Sequence, residues 1–410
     1  MPTNPKLRPL DVKRIVENGQ PYYVLRDPLG LSDQMAVVPE ALGPLLAMCD
    51  GARDASTLAS AFHLKTGYPL TKANVDQIIE GLSQGLLLDD ERFKEAHQAA
   101  RRSYLSAPFR QPALTDKVYP GNPAKLEETL RQYLAKAGAG KDTTAYPYGS
   151  AVGVVSPHID YHRGWRTYAN VWSQAAPAIA EAELVIIFGT DHAGSAGHLT
   201  LTRQNYATPW GTLPTSQSIV DSLATALGEE NAFAEELHHK NEHSIELAAV
   251  WLHYFLRPRQ CEVVPILCGS FHEFVAGDAD PHSYEPFQKA IAVLKEAIAG
   301  KKTVVVAAAD LAHVGPNFGD ALPWSPPLRA SLKATDASLM QAVTQGDHAG
   351  FFHRVKQDLD QYKVCGLAPI YLTLRILDGA RGISMGYDQC PADEQHASLV
   401  SIAGAIIQKP

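Results

Sequence analysis

Short apolar runs alternate with amphipathic helical patterns over most of the chain. Four of the runs are rich in Val and Ile without polar alternation, a pattern typical of strands that helices cover on both faces. In chain order they read "AVGVVSPH", "ELVIIFGTDH", "CEVVPILCGS" and "TVVVAAADLAH". Helical patterns separate them, among them "HSIELAAVWLHYFLR" and "YEPFQKAIAVLKEAIAGKK". The alternation predicts an α/β domain over residues 117–410, with a mainly parallel sheet flanked by helices.

The pattern of residues 1–103 is different and predicts a separate, small α+β domain. The stretches "PYYVLRDP" and "QMAVVPEA" predict short strands. Two helical patterns follow, "DASTLASAFHLKTG" and "TKANVDQIIEGLSQGLLLDD", and Thr71 is the expected N-cap of the second. Residues 104–116 contain Pro108 and Pro112, so we expect a linker there.

Composition narrows the classes of function. The chain has 410 residues, 45% of them hydrophobic, so it can bury a sizeable core. Its formal net charge is -8 and no run is rich in Lys or Arg, so neither nucleic acid nor an anionic membrane is an expected partner. No apolar stretch approaches the ~18 residues of a membrane span. The N-terminal stretch "MPTNPKLRPLDVKRI" lacks the apolar core of an export signal, so export is not expected. The five cysteines form no C-x-x-C pair, which favours reduced thiols and a cytoplasmic location.

Ionisable residues follow three of the four apolar runs. His158 follows the first run, His192 the second, and Asp310 and His313 the last. Because ligands bind at the carboxyl ends of the strands in an open α/β sheet, we expect these side chains to converge at one edge. His243 begins an amphipathic helix and is a further histidine of this predicted site.

His158, His192 and His243 are the predicted metal ligands. Imidazole suits Fe, Zn, Cu or Ni, and a mixed set of His and carboxylate around an open position suits Fe(II) or Zn(II). Carboxylates in range either bind the metal or orient the imidazoles, and they are Asp160, Asp191, Glu246 and Asp310. The sequence has no G-x-S-x-G and no G-x-x-x-x-G-K-[ST] motif, which disfavours a serine hydrolase and nucleotide binding.

Seven stretches of the chain resemble the Memo family in order and spacing. They are "SPHIDYHRG", "FGTDHAGS", "NEHSIELAAVWL", "VVPILCGS", "AADLAHVG", "VCGLAPI" and "HASLVSIAGA", and the resemblance covers roughly residues 117–408. The family includes protein B of the bacterial AmmeMemoRadiSam system. Its members are similar in fold to the class III extradiol dioxygenases, in which non-haem Fe(II) lies between His and carboxylate ligands. The resemblance therefore implies a divalent metal, Fe(II) first, with Zn(II) or Cu as alternatives.

The resemblance also implies roles for individual residues. His158 and His192 match the two metal-ligand histidines of the family. His243 matches a further ligand of Memo proteins or the acid/base of the dioxygenases. Asp310 and His313 match the family pattern and, with His243, are the expected catalytic residues.

The third metal position of the family falls on Ala312 in this chain. It is Cys in some Memo proteins and Glu in the dioxygenases, whereas alanine has no donor atom. On an extended strand Asp310 and Ala312 would share a side, with His313 on the other. We therefore expect Asp310 to lie nearest the vacant position, and Ala312→Cys or Ala312→Glu to tighten metal binding.

The N-terminal domain resembles the PqqD-like winged-helix domains in "LLAMCDGARDASTLASAF" and "VDQIIEGLSQGLLL". Some domains of that type bind leader peptides beside radical-SAM enzymes, so the resemblance implies a peptide or a radical-SAM protein as a partner.

The sequence leaves three functions open. The first is Fe(II)-dependent oxidative chemistry on a small, aromatic or phenolic substrate, with His243 as ligand or as acid/base. The second is a hydrolase that uses zinc-activated water on three histidines. The third is a non-catalytic protein that binds a peptide or a radical-SAM partner, which the missing donor at Ala312 favours.

Overall fold

The computed structural model describes residues 3–138, 150–321 and 323–409. The chain forms two compact units, Met1–Ala107 and Pro108–Pro410. The strands of the first unit are β1 (Asp11–Glu17), β2 (Gln20–Arg26) and β3 (Ala36–Pro39), and its helices are α1 (Gly43–Ala47), α2 (Ala55–Thr66), α3 (Lys72–Gln84) and α4 (Glu91–Ser106).

The first unit joins an antiparallel sheet, β1-β2-β3, to its helices. Thr71 caps α3 as predicted, because its side chain accepts a hydrogen bond from the Asn74 amide. The core packs Leu58 and Phe62 of α2 against Val75 of α3. Strand β1 was not predicted, and nearly all of its residues are exposed. Helix α4 continues to Ser106, within the predicted linker, 104–116.

The second unit alternates strands and helices along the chain. Its strands are β4 (Ser150–Ser156), β5 (Leu184–Thr190), β6 (Leu199–Leu201), β7 (Tyr206–Thr208), β8 (Gly211–Leu213), β9 (Glu262–Cys268), β10 (Thr303–Ala308), β11 (His313–Val314), β12 (Arg381–Pro391) and β13 (Leu399–Lys409). Its helices are α5 (Pro123–Ala137), α6 (Tyr161–Glu181), α7 (Gln217–Leu227), α8 (Glu229–Ala232), α9 (Ser244–Leu256), α10 (His272–Ala276), α11 (Glu285–Ile298), α12 (Pro326–Thr344), α13 (His348–Gln357) and α14 (Leu367–Ile376).

The main sheet has a parallel centre. Its strand order is β11-β13-β4-β10-β5-β9-β6, with β12 paired to β13. Strands β4, β10, β5 and β9 are parallel neighbours, as predicted. Antiparallel strands β13 and β6 flank this centre, so the sheet as a whole is mixed.

Helices cover both faces of the sheet, which confirms the predicted α/β architecture. Every residue of β5 is buried. Leu184, Ile186 and Phe188 pack into one apolar core, and Val185 and Ile187 pack into the core on the opposite face. Full burial of such a side chain stabilises the fold by roughly 1.5–3 kcal/mol. Within the described residues, no helix combines the length and the apolar character needed to cross a bilayer.

Candidate metal centre

The carboxyl ends of three neighbouring strands hold the predicted site. Strands β4, β10 and β5 run in parallel, so the residues that follow them meet at one edge of the sheet. His158 follows β4, His192 follows β5 and Asp310 follows β10. The ring centroids of His158 and His192 are 5.1 Å apart.

His243 reaches the same edge because the start of α9 packs against the end of β5. The Ser244 hydroxyl donates a hydrogen bond to the Thr190 carbonyl, at 2.8 Å. The ring of His243 lies 5.3 Å from that of His158 and 4.8 Å from that of His192. The structure thus brings the predicted ligands His158, His192 and His243 together, and their binding of a metal stays a prediction.

A thiol completes the group of donors. Cys365 Sγ lies 3.2 Å from His158 Nε2, and ligand atoms of His158, His192 and Cys365 all lie within 4.8 Å of one another. The Thr190 hydroxyl donates to the Cys365 carbonyl, at 3.1 Å, which ties this segment to the end of β5. A side chain at Gly366 would meet the Asp310 carbonyl at 2.3 Å, so glycine allows this close approach.

The expected metal position at Ala312 is wrong. Ala312 is fully buried in an apolar cluster with Val314, Leu332 and Leu399. Strand β10 ends at Ala308, so the alternation of a strand does not extend to residue 312. Cys365 instead offers a donor atom beside His158 and His192.

Each of the three imidazoles has a hydrogen-bond partner at Nδ1, so its Nε2 atom is available to the site. His158 Nδ1 is 3.0 Å from the Ala308 carbonyl oxygen. Glu242 serves the other two rings, with Oε2 3.0 Å from His192 Nδ1 and Oε1 3.1 Å from His243 Nδ1. A carbonyl or carboxylate at one ring nitrogen fixes the tautomer and frees the other nitrogen for a metal. The donor set therefore fits a transition metal.

Charge pairing shifts the pKa values of these groups. Burial lowers the pKa of His158, but the nearby Cys365 and Asp310 groups raise it, to about 9 overall. Burial raises the pKa of the Cys365 thiol, but the imidazoles of His158 and His313 bring it well below its ordinary value. The lowered pKa favours the thiolate of Cys365, the form that binds metals.

Glu242 is the negative partner of the other imidazoles. Burial lowers the pKa of His192, and the Glu242 carboxylate raises it well above its ordinary value. Burial raises the pKa of Glu242, and the neighbouring His192 and His243 bring it well below its ordinary value. Glu242 also accepts the amides of His192, His243 and Ser244. It is therefore the organising carboxylate on this side of the site.

Of the predicted catalytic residues, Asp310 contacts His158, and His313 lies near enough to Cys365 to lower the pKa of its thiol. Asp310 Oδ1 accepts the amide of His158 at 2.9 Å, and Oδ2 lies 3.7 Å from His158 Nε2. His313 Nδ1 lies 3.2 Å from the Leu311 carbonyl oxygen, and its ring packs against Phe318. Their roles in catalysis stay predictions.

The other carboxylates in range have different partners. Asp191 pairs with His238, with 2.9 Å between Oδ2 and Nδ1, and forms a separate group with Glu235. Asp160 caps α6 by accepting the amide of Arg163. Glu246 forms a buried ion pair with Arg110, which lies in the predicted linker.

Sequence reasoning missed Cys365 and the central role of Glu242. Both lie in stretches that carry the family resemblance, "VCGLAPI" and "NEHSIELAAVWL". A usable signal was the Cys-Gly pair directly before the apolar helix α14, since a glycine there permits close backbone approach. Cys365 is half-buried, whereas the other four cysteines are buried.

The fold and the site define a class: an α/β protein with a candidate His-His-Cys metal centre at the carboxyl edge of its sheet. The family model described as "Memo-like protein" matches residues 110–406. The chain belongs to the Memo family.

Relatives from bacteria and archaea are similar to the chain. A MEMO1 family protein of Aquifex aeolicus is 27% identical over 414 residues, covering 98% of this chain and 99% of the relative. One from Methanosarcina mazei is 25% identical over 68% of this chain and 91% of its own length. One from Archaeoglobus fulgidus is 24% identical over 73% of this chain and 100% of its own length. The similarity to the Aquifex protein includes the N-terminal unit.

Proposed function

We propose that this chain is a metal-dependent enzyme in which His158, His192 and Cys365 hold one divalent transition metal. The observation that carries the proposal is the grouping of their donor atoms within 4.8 Å of one another. Imidazole and thiolate together suit Fe, Zn or Cu rather than Mg or Ca. Three protein ligands leave coordination positions open, as catalytic metal sites do.

In this proposal the preferred metal is Fe(II). The protein is then an oxidoreductase that acts on a small aromatic substrate. When bound, Fe(II) would supply open positions for O₂ and for a phenolic oxygen, as the resemblance to the class III extradiol dioxygenases implies. Cys365 takes the place of the carboxylate ligand of those enzymes. A thiolate also suits Zn(II), which supports a zinc hydrolase as the second candidate.

In this proposal two imidazoles of the chain, those of His243 and His313, move protons. Glu242 lies at Nδ1 of His243, and the Leu311 carbonyl lies at Nδ1 of His313. In each ring the Nε2 atom is left to take a proton from a substrate hydroxyl or to return one. The side chain of His243 is 37% exposed, so a substrate has access to it.

Metal analysis under anaerobic conditions tests the proposal. Purified protein should contain Fe, Zn or Cu near one equivalent, and both His158→Ala and His192→Ala should lose it. His282→Ala, a change at an exposed histidine, is the control and should keep the metal. A wild type that is metal-free and takes up neither added Fe(II) nor Zn(II) contradicts the proposal. Oxygen consumption with catechols then separates the oxidoreductase from the hydrolase.

Peptide binding by the first unit is a separate proposal. It is supported by an apolar cavity of about 480 Å³ whose walls include Leu10, Leu25 and Leu46. Binding of apolar, PqqD-type leader peptides to the full chain should weaken in Leu10→Glu. It should persist in Leu64→Glu, at a side chain of the same unit that is 86% exposed. Equal binding by both variants would contradict peptide capture in this cavity.

A further inference from the structure

The first residues of the second unit are bonded to the start of α9. The Glu246 carboxylate accepts hydrogen bonds from the amides of Ala113 and Leu114, at 2.8 and 2.9 Å, and from the Tyr119 hydroxyl, at 2.6 Å. This stretch was expected to be a linker, yet it forms a built polar network. Its bonds converge on a helix whose N-terminal residues face the metal centre.

Arg110 is the cation of this network, and its guanidinium is fully buried. Nη1 pairs with Glu246. Nε donates to the His239 carbonyl and Nη2 donates to the Glu242 carbonyl, each at 2.8 Å. The planar fork of arginine can satisfy these acceptors at once, which a lysine ammonium cannot reproduce. One side chain thus fixes both ends of the turn from 239 to 242.

That turn presents the carboxylate that holds two rings of the centre. The backbone carbonyl of Glu242 is bonded to Arg110, while its side chain lies against His192 Nδ1 and His243 Nδ1. A shift of this backbone would move both carboxylate oxygens relative to the imidazoles. Loss of a group that hydrogen-bonds to a metal-binding imidazole typically lowers metal affinity by about 10–100-fold.

We propose that Arg110 is a positioning residue of the metal centre, which acts on His192 and His243 through the backbone of Glu242. The inference rests on the proposed function, since it assumes that His192 binds a metal and that His243 moves protons beside it. It assigns to the stretch after the first unit a role in shaping the site. The chain from the end of α4, at Ser106, reaches Arg110 within a few residues.

Arg110→Lys tests the inference because it keeps the positive charge beside Glu246 and removes the fork. We expect Co(II) affinity to fall about 10–100-fold and the Co(II)–thiolate absorption to shift. Arg257→Lys is the matched control, because Arg257 lies at the opposite end of α9, over the Trp210 ring. It should leave affinity and spectrum unchanged. An Arg110→Lys protein with wild-type affinity and spectrum overturns the inference.

Hydrogen exchange of the wild-type protein provides a test that does not depend on a variant folding. If Arg110 couples the two segments, Co(II) should slow exchange of the Ala113 and Leu114 amides by severalfold, because coupling is reciprocal. Slowing at His192 and His243 alone overturns the inference and leaves the proposed function intact. A wild type that binds no Co(II) overturns both.

Discussion

Cys365 Sγ lies 3.2 Å from His158 Nε2, although 207 positions separate the two residues along the chain. The contact joins the turn after β4 to the start of α14. Two residues allow this contact. The Thr190 hydroxyl donates a hydrogen bond to the Cys365 carbonyl, and Gly366 has no side chain to clash with the Asp310 carbonyl. The donor atoms of Cys365, His158 and His192 therefore lie within 4.8 Å of one another at the carboxyl edge of the sheet.

Cys365→Ala is expected to lower metal affinity by at least about 100-fold, because it removes one of three donors and its charge. Cys268→Ala is the matched control, since Cys268 is a buried thiol at the end of β9, outside the donor group. Chelator competition with Zn(II) and Co(II) measures both. Equal affinities for the two variants would remove Cys365 from the site.

Ala312→Cys is expected to leave metal affinity unchanged, the reverse of what the sequence alone indicates. Ala312 is buried among apolar side chains, so a thiol there would lie outside the donor group. Ala312→Glu would bury a carboxylate without a partner and should cost several kcal/mol of folding free energy. Denaturant unfolding compares it with Ala99→Glu, at an exposed position of α4. Tighter metal binding in Ala312→Cys would contradict this placement.

The sequence was informative where structure depends on local pattern and general sheet geometry. Apolar runs of Val and Ile predict buried strands such as β5. Neighbouring parallel strands have their carboxyl ends at the same edge of the sheet. That reasoning was enough to bring His158, His192 and Asp310 together. It required no knowledge of how the helices pack.

The sequence was misleading where position depends on where a strand stops. Continued alternation predicts that Ala312 shares a side with Asp310, whereas β10 ends at Ala308 and the next strand, β11, pairs with β13. Cys365 was not identified as a donor because its place is set by tertiary contacts with Thr190 and Asp310. No periodicity around Cys365 encodes those contacts.

Glu242→Gln is expected to weaken metal binding by about 10–100-fold. The glutamine amide has no negative charge and only one acceptor oxygen, so it cannot accept hydrogen bonds from Nδ1 of both His192 and His243. Glu230→Gln is the control, since Glu230 is an exposed carboxylate of α8, outside the donor groups. Titration calorimetry with Zn(II) measures both affinities. If Glu242→Gln binds as tightly as Glu230→Gln, Glu242 does not organise the centre.

Metal affinity is expected to rise with pH up to about 9. The charges of Cys365 and Asp310 overcome the effect of burial and raise the pKa of His158 to about 9, so below that pH a metal must displace its proton. His192 has a pKa raised above its ordinary value, which adds a second proton in competition. We expect affinity for Zn(II) to increase about tenfold or more per pH unit between pH 6.5 and 8.5. A flat profile would contradict the imidazolium state of the metal-free site.

Asp336 is expected to make the unfolding free energy depend on pH, independently of any metal. Burial raises the pKa of this carboxyl to about 6, although Ser401 and Tyr387 act to lower it. An aspartate in the unfolded chain titrates near pH ~3.9. Because the folded pKa is the higher one, the stabilising effect of the bound proton is present below the unfolded pKa. It is lost as pH rises through about 6.

Asp336→Asn removes this titration and keeps an acceptor for the Tyr387 hydroxyl, which lies 2.8 Å from Asp336 Oδ2. Relative to wild type, the variant should gain about 1–3 kcal/mol of unfolding free energy between pH 4.5 and pH 7.5. Asp378→Asn, at an exposed aspartate, should show no such gain. Urea unfolding of the three proteins at the two pH values gives the six free energies required. Parallel pH profiles for wild type and Asp336→Asn would show that Asp336 is ionised over this range in the folded protein.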